Sequence, residues 1–225
     1  MTEKLLEAIE IETGRNPAAA VIWMHGLGAD GNDFVPIVPE LKLAATPAVR
    51  FVFPHAPMRP VTINNGYVMR AWYDVTYGDL EGKSKRPDET GVRASEKEIV
   101  KLIARERGRG IDSEKIVLAG FSQGGALALQ TGLRYPEKLA GIMALSTYLP
   151  LAETLAREAS EANKRTPIFM AHGTQDPVVS YAWGSASRRM LDDLGYPVEW
   201  REYPMQHSVC LEEVDDVAAW LKKVL

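Results

Sequence analysis

The sequence contains one cysteine, four histidines and no long apolar run. A lone Cys210 cannot form a disulfide within the chain and rules out a metal centre built on clustered cysteines. It also suits a reducing compartment. The longest unbroken apolar stretch, Ala18 to Met24, has seven residues, whereas a membrane-crossing helix needs about 20. An integral membrane protein is therefore not expected. Positive charge is not in excess either: 26 Lys and Arg stand against 30 Asp and Glu, for a formal net charge of -4. Nucleic acid is accordingly not an expected partner. Two local basic runs, Lys83 to Arg86 and Arg105 to Arg109, are interleaved with or flanked by Glu, Gly or Pro and read as solvated surface. The opening segment MTEKLLEAIEIETG has acids in every turn and lacks the basic and continuously apolar regions of a secretory signal. The expected compartment is the cytoplasm.

With 225 residues, 46% of them hydrophobic, the chain can bury a substantial core without covalent staples. Short apolar runs at Ala18 to Met24, Val49 to Phe53, Lys115 to Ala119, Gly141 to Leu145, Pro167 to Ala171 and Val198 to Tyr203 read as strands. The middle ones are almost continuously hydrophobic, as strands covered on both faces are. Segments with helical spacing lie between them, at Val92 to Arg107, Gln123 to Leu133, Leu151 to Ala162, Ala182 to Leu194 and Glu212 to Val224. This alternation predicts a single α/β domain spanning 1–225, with a mostly parallel central sheet and helices on both faces. The exception is Pro54 to Gly91, which has no sustained period and is too long for an ordinary connection. In open α/β sheets, ligands bind at the carboxyl ends of the strands, where such an excursion would hang.

The strongest local motif is Gly120, Phe121, Ser122, Gln123, Gly124 and Gly125, between a predicted strand and a predicted helix. This is nucleophile-elbow spacing in the strand–turn–helix context it requires. Glycines on both sides let strand and helix close on a sharply turned serine. The Gln123 N–H at the helix start can then stabilise an oxyanion. A serine hydroxyl needs a base, and the base needs an orienting acid. In the chain order of α/β-hydrolases the acid and then the base follow the serine, which leaves His172 and His207. Asp176, just past a predicted strand and held extended by Pro177, pairs best with His207 in the loop before the last helix. Ser122, Asp176 and His207 are the expected catalytic residues, and Cys210 is expected to be a small buried hydrophobe.

The loop His25 to Gly31 also fits the Gly-x-Gly-x-x-Gly dinucleotide fingerprint. That reading requires an acid about 20 positions further on, and no Asp or Glu occurs from Leu41 to Tyr73. Asp30 would also repel a pyrophosphate. In a hydrolase, the same glycines let a backbone N–H, assigned to Leu27, act as the second oxyanion donor. A phosphate loop around Gly82, Lys83 and Ser84 fails because Tyr77 stands where its first glycine belongs.

Together, His25 to Gly31, Gly120 to Gly125, His172 to Val179 and His207 with Ser208 resemble the small carboxylesterases, acyl-protein thioesterases and lysophospholipases of the α/β-hydrolase fold. The resemblance runs from about Ala18 to the C-terminus. It implies Ser122 as nucleophile, Asp176 as orienter, His207 as base, and the Leu27 and Gln123 N–H groups as oxyanion hole. It places Trp72 beside the acyl site, with the Leu27 side chain completing a hydrophobic acyl pocket. It implies no cofactor and no metal, a small ester or thioester as substrate, and a homodimer as a common state. The expected activity is hydrolysis of carboxylic esters of short to medium acyl chains, with thioester or lysolipid cleavage as the alternative. A nicotinamide oxidoreductase and a non-catalytic binding module on the same fold are the remaining readings.

Overall fold

The structure is a computed structural model that describes residues 5–43, 47–80 and 87–225. In chain order its elements are β1 (Ala8–Glu12), β2 (Ala19–Met24), α1 (Ile37–Glu40), β3 (Val49–Pro54), β4 (Met58–Val61) and β5 (Tyr67–Arg70). Next come α2 (Tyr77–Leu80), α3 (Glu89–Gly108), β6 (Ile116–Phe121), α4 (Gln123–Arg134), β7 (Gly141–Leu145) and α5 (Ala152–Glu158). The last are β8 (Ile168–Gly173), α6 (Tyr181–Asp193), β9 (Val198–Tyr203) and α7 (Leu211–Val224). Seven strands form one sheet in the order β1-β3-β2-β6-β7-β8-β9. All neighbours are parallel except β1 with β3. This is the expected α/β architecture. Among the described residues no helix is long and apolar enough to cross a membrane.

The continuous hydrophobicity of β2 follows from its central position. Ala20, Ile22 and Met24 pack on one face with Ile99, Leu102 and Leu127 of α3 and α4. Ala19, Val21 and Trp23 pack on the other with Phe51, Phe53, Val217 and Leu221. Side chains alternate across a strand, so a strand covered on both faces needs apolar residues at every position.

Four features refine or depart from the sequence expectation. Strand β1 alternates Ala8, Ile9, Glu10, Ile11 and Glu12 at the sheet edge, too short and too charged to stand out. The excursion holds an antiparallel hairpin, β4 with β5, and the one-turn helix α2. Helix α3 starts at Glu89, before the predicted Val92, because the Asp88 side chain caps it by accepting the Gly91 N–H. The predicted helix Leu151 to Ala162 is shortened to α5, which ends at Glu158.

The basic run Arg105 to Arg109 is more than solvated surface. Glu106 is fully buried and pairs with Arg50 at 2.8 Å, Arg105 at 2.9 Å and Arg109 at 3.2 Å. Glu10 of β1 meets Arg105 and Arg109, each at 2.9 Å, so the network ties the edge strand to the end of α3. The other run, Lys83 to Arg86, lies outside the described residues, as does the Gly82 to Ser84 near-match.

Helix α7, which follows His207, carries a second fully buried acid, Glu213. Burial, reinforced by nearby Asp216, pushes its carboxyl up from 4.5 to about 8. The native state therefore holds this proton more tightly than the unfolded chain does. The resulting stability is complete below the unfolded value and drains away as pH rises through the folded one. Glu213→Gln removes the ionisation. At about 1.4 kcal/mol per pKa unit, the variant should escape several kcal/mol of the stability that the wild type loses between about pH 5 and 8.5. Urea midpoints at the two pH values measure this, and equal losses in both proteins would contradict it.

Candidate active site

Ser122 sits between β6 and α4 with φ 54° and ψ -120°, a region that costs a residue with a side chain roughly 1–3 kcal/mol. Close packing enforces it. A Cβ on Gly120 would lie 2.2 Å from the Gly124 carbonyl group, and one on Gly124 would lie 2.2 Å from the Met24 oxygen at the end of β2. The turn is pinned further by Ser122 N–H to the Leu145 carbonyl at 2.8 Å. The Thr147 hydroxyl also donates to the Ser122 carbonyl at 2.6 Å.

Asp176 and His207 are brought together as expected. Imidazole Nδ1–H donates to Asp176 Oδ2 at 2.7 Å, which leaves Nε2 of the neutral ring unprotonated. The other carboxylate oxygen accepts the N–H groups of Val178 at 2.8 Å and Val179 at 3.0 Å. Burial alone would raise the Asp176 pKa. The His207 and backbone hydrogen bonds outweigh it and hold the carboxyl below its usual range. Ser122 and His207 line one cavity of about 240 Å³, with Leu27, Gln123, Tyr148 and Val178 among its other walls. Among the described residues the Leu27 and Gln123 N–H groups have no hydrogen-bond acceptor.

Trp72 and His172 lie behind the cavity. Trp72 is fully buried and is not among the residues lining this cavity. Its indole N–H donates to the His25 carbonyl at 2.9 Å, and its backbone N–H donates to Gln123 Oε1 at 2.8 Å. The Gln123 amide in turn donates to the Tyr73 carbonyl at 2.7 Å. Trp72 is therefore a strut behind the loop that carries Leu27, and its indole does not face the acyl site. His172 is fully buried behind Asp176. Its Nε2–H donates to the Val179 carbonyl at 2.9 Å, and burial lowers its pKa.

Tyr148, Val75 and Val178 are cavity walls outside the sequence motifs' assigned roles. Tyr148 follows the carboxyl end of β7 just as Ser122 follows that of β6, and that shared position was the available signal. No group of metal-ligating side chains occurs among the described residues.

The fold and this arrangement are those of a serine-hydrolase-like α/β protein, and comparison with known proteins gives the family. The chain belongs to the phospholipase/carboxylesterase family, whose model matches residues 6–225. It is 43% identical over 213 residues to acyl-protein thioesterase 1 of Neurospora crassa, covering 92% of this chain and 87% of that one. It is 36% identical to carboxylesterase SOBER1 of Arabidopsis thaliana, covering 91% and 90%. The crystal structure of SOBER1 superposes with a TM-score of 0.86 at 34% identity, covering 91% of this chain and 98% of that one. The protein is a carboxylic ester hydrolase.

The two candidate bases are separable by experiment. His207→Gln should cost about 10³-fold or more in turnover. His172→Gln disturbs only the turn that holds Asp176 and should cost at least tenfold less. Steady-state rates on a reactive ester decide this, and an equal loss in both variants would reassign the base.

Proposed function

We propose that Ser122 attacks the acyl carbonyl while His207 Nε2 takes its proton. The oxyanion forms against the N–H groups of Leu27 and Gln123, the second of these at the positive end of α4. His207 returns the proton to the leaving alcohol, and water repeats the route to release the acid. The observation that carries this reading is the convergence in one cavity of a strained serine, a carboxylate-bound imidazole and two N–H groups without acceptors. The substrates we infer are soluble esters of short to medium acyl chains, because the cavity is small and the described part of the excursion contributes a hairpin and short helical turns rather than the large helical lid that suits a lipid surface. Thioesters are the second reading. It is favoured by identity to several proteins named acyl-protein thioesterase 1, and it uses the same residues.

A fluorophosphonate should label Ser122 alone, and Ser122→Ala should abolish turnover with the fold intact. Labelling of another serine, mapped by mass spectrometry, would overturn the assignment. A panel of esters and thioesters of graded chain length fixes the preference. Rapid hydrolysis of aggregated long-chain lipids with inert monomeric short esters would overturn the substrate reading.

The oxyanion hole is tested separately. Leu27→Pro removes the proposed donor and should cost at least about 10²-fold in kcat. Leu27→Ala keeps the N–H and should act mainly on KM. Circular dichroism checks that the proline variant is folded, and a folded Leu27→Pro protein with normal kcat would remove Leu27 from the oxyanion hole.

A further inference from the structure

A second cavity of about 380 Å³ adjoins the catalytic one, and Tyr148 lines both. Its chemistry is different. Asp74, Asp79 and Asp88 contribute to its walls with Tyr73, Tyr148 and Trp183, and no Lys or Arg is among its described lining residues. The Tyr148 and Trp183 rings stack at 3.9 Å, and the Tyr73 and Tyr148 hydroxyls share a hydrogen bond of 2.9 Å.

The carboxylates are held by neutral donors. Asp74 accepts from the Thr62 N–H at 2.7 Å and the Val75 N–H at 2.9 Å, and Asp88 accepts from the Gly91 and Asp74 N–H groups. Such bonds occupy lone pairs but leave the charge in place. Among the described residues the ion pair these three acids make is Asp88 with Arg59, at a long 3.9 Å. Asp79 is the informative member. It is 6% exposed, its Oδ2 accepts the Thr76 N–H and hydroxyl at 2.6 Å each, and its buried Oδ1 has no partner among the described residues.

A phosphate or carboxylate would be repelled here, and an alkyl chain alone would leave Asp79 Oδ1 unsatisfied. A cation satisfies both walls, through Coulomb attraction to the acids and cation–π contact with the rings. We propose that this cavity is a subsite for a cationic group, an ammonium or guanidinium, of the ester that Ser122 cleaves. The group is carried on either the acyl or the leaving side. The proposal rests on the reading of Ser122 as nucleophile and adds to it a substrate class.

The test uses matched pairs. On the leaving side, a choline ester is compared with its neutral 3,3-dimethylbutyl isostere. On the acyl side, a p-nitrophenyl ester ending in trimethylammonium is compared with one ending in tert-butyl. In one arm kcat/KM for the cation should exceed that for the isostere by about tenfold at low salt, and the ratio should shrink as salt rises. Asp79→Asn should bring the ratio close to one, and Trp183→Leu should lower it. The two substitutions are independent, so one failing to fold leaves the other informative. Butyltrimethylammonium, titrated against tryptophan fluorescence, reads the site without turnover. Saturable binding that Asp79→Asn removes supports the subsite even if no ester is cleaved and Ser122 resists the fluorophosphonate, an outcome that would defeat the catalytic reading alone. Ratios near one in both arms with no saturable binding overturn the proposal. So does selectivity that emerges only when Lys83, Lys85 and Arg86, outside the described residues, are replaced by Ser.

Discussion

At the ends of β2 and β6, two backbones come so close that no side-chain carbon fits between them. The missing Cβ of Gly124 would fall 2.2 Å from the Met24 oxygen, and the rest of the site depends on this contact. It sets the start of α4 against the loop that leaves β2. Gln123 at the helix start and Leu27 therefore come to line one cavity. Parallel pairing of β2 with β6, Met24 opposite Gly120, fixes the register in which this happens. A residue with a β-carbon at either glycine would have to separate strand from helix, and Gln123 would separate from Leu27 with them.

Close approach alone would leave the β2 loop free to tilt, and buried polar groups prevent this. The Gln123 side chain bonds both neighbours on the Trp72–Tyr73 backbone, and the Trp72 indole holds the His25 carbonyl. His25 is locked in turn, its Nε2 accepting the Ala56 N–H at 3.1 Å. Each of these groups is buried, so breaking one bond leaves an unsatisfied partner costing roughly 1–3 kcal/mol. The excursion between β3 and α3 thus braces the loop after β2 from behind. That bracing explains why it passes under the site before returning to the surface.

The fold was legible because its signals are local. Runs such as Ile116 to Ala119 and Ile142 to Leu145 are hydrophobic at every position, which only strands covered on both faces need. The elbow was legible because the spacing of its glycines around Ser122 is local, although the contact that requires Gly124 is with Met24, distant in sequence. Strand β1 was not, because its alternating acids are explained only by Arg50, Arg105 and Arg109, which are distant in sequence. Trp72 was ambiguous for a different reason. A tryptophan near an acyl site can equally be a wall or a strut, and the choice was set by the His25 carbonyl, a partner no pattern within the excursion reveals.

The four histidines show how burial sorts imidazoles that the sequence lists as equals. His25, buried, with its ring nitrogens committed to the Gly26 carbonyl and the Ala56 N–H, is pushed down to about 4. His55 accepts the Gly31 N–H through Nδ1 and supports the same loop. His172 gives its proton to the Val179 carbonyl, and burial disfavours its charged form. A general base must become a cation during the reaction, so an imidazole that burial holds neutral is poorly suited to the task. His207 is bonded at 2.7 Å to a buried carboxylate, the partner that an imidazole proposed as general base requires. His172 stands 3.5 Å from that same carboxylate oxygen. If it were charged, it would compete with His207 for Asp176, so the burial that disqualifies His172 as a base also leaves the carboxylate to His207.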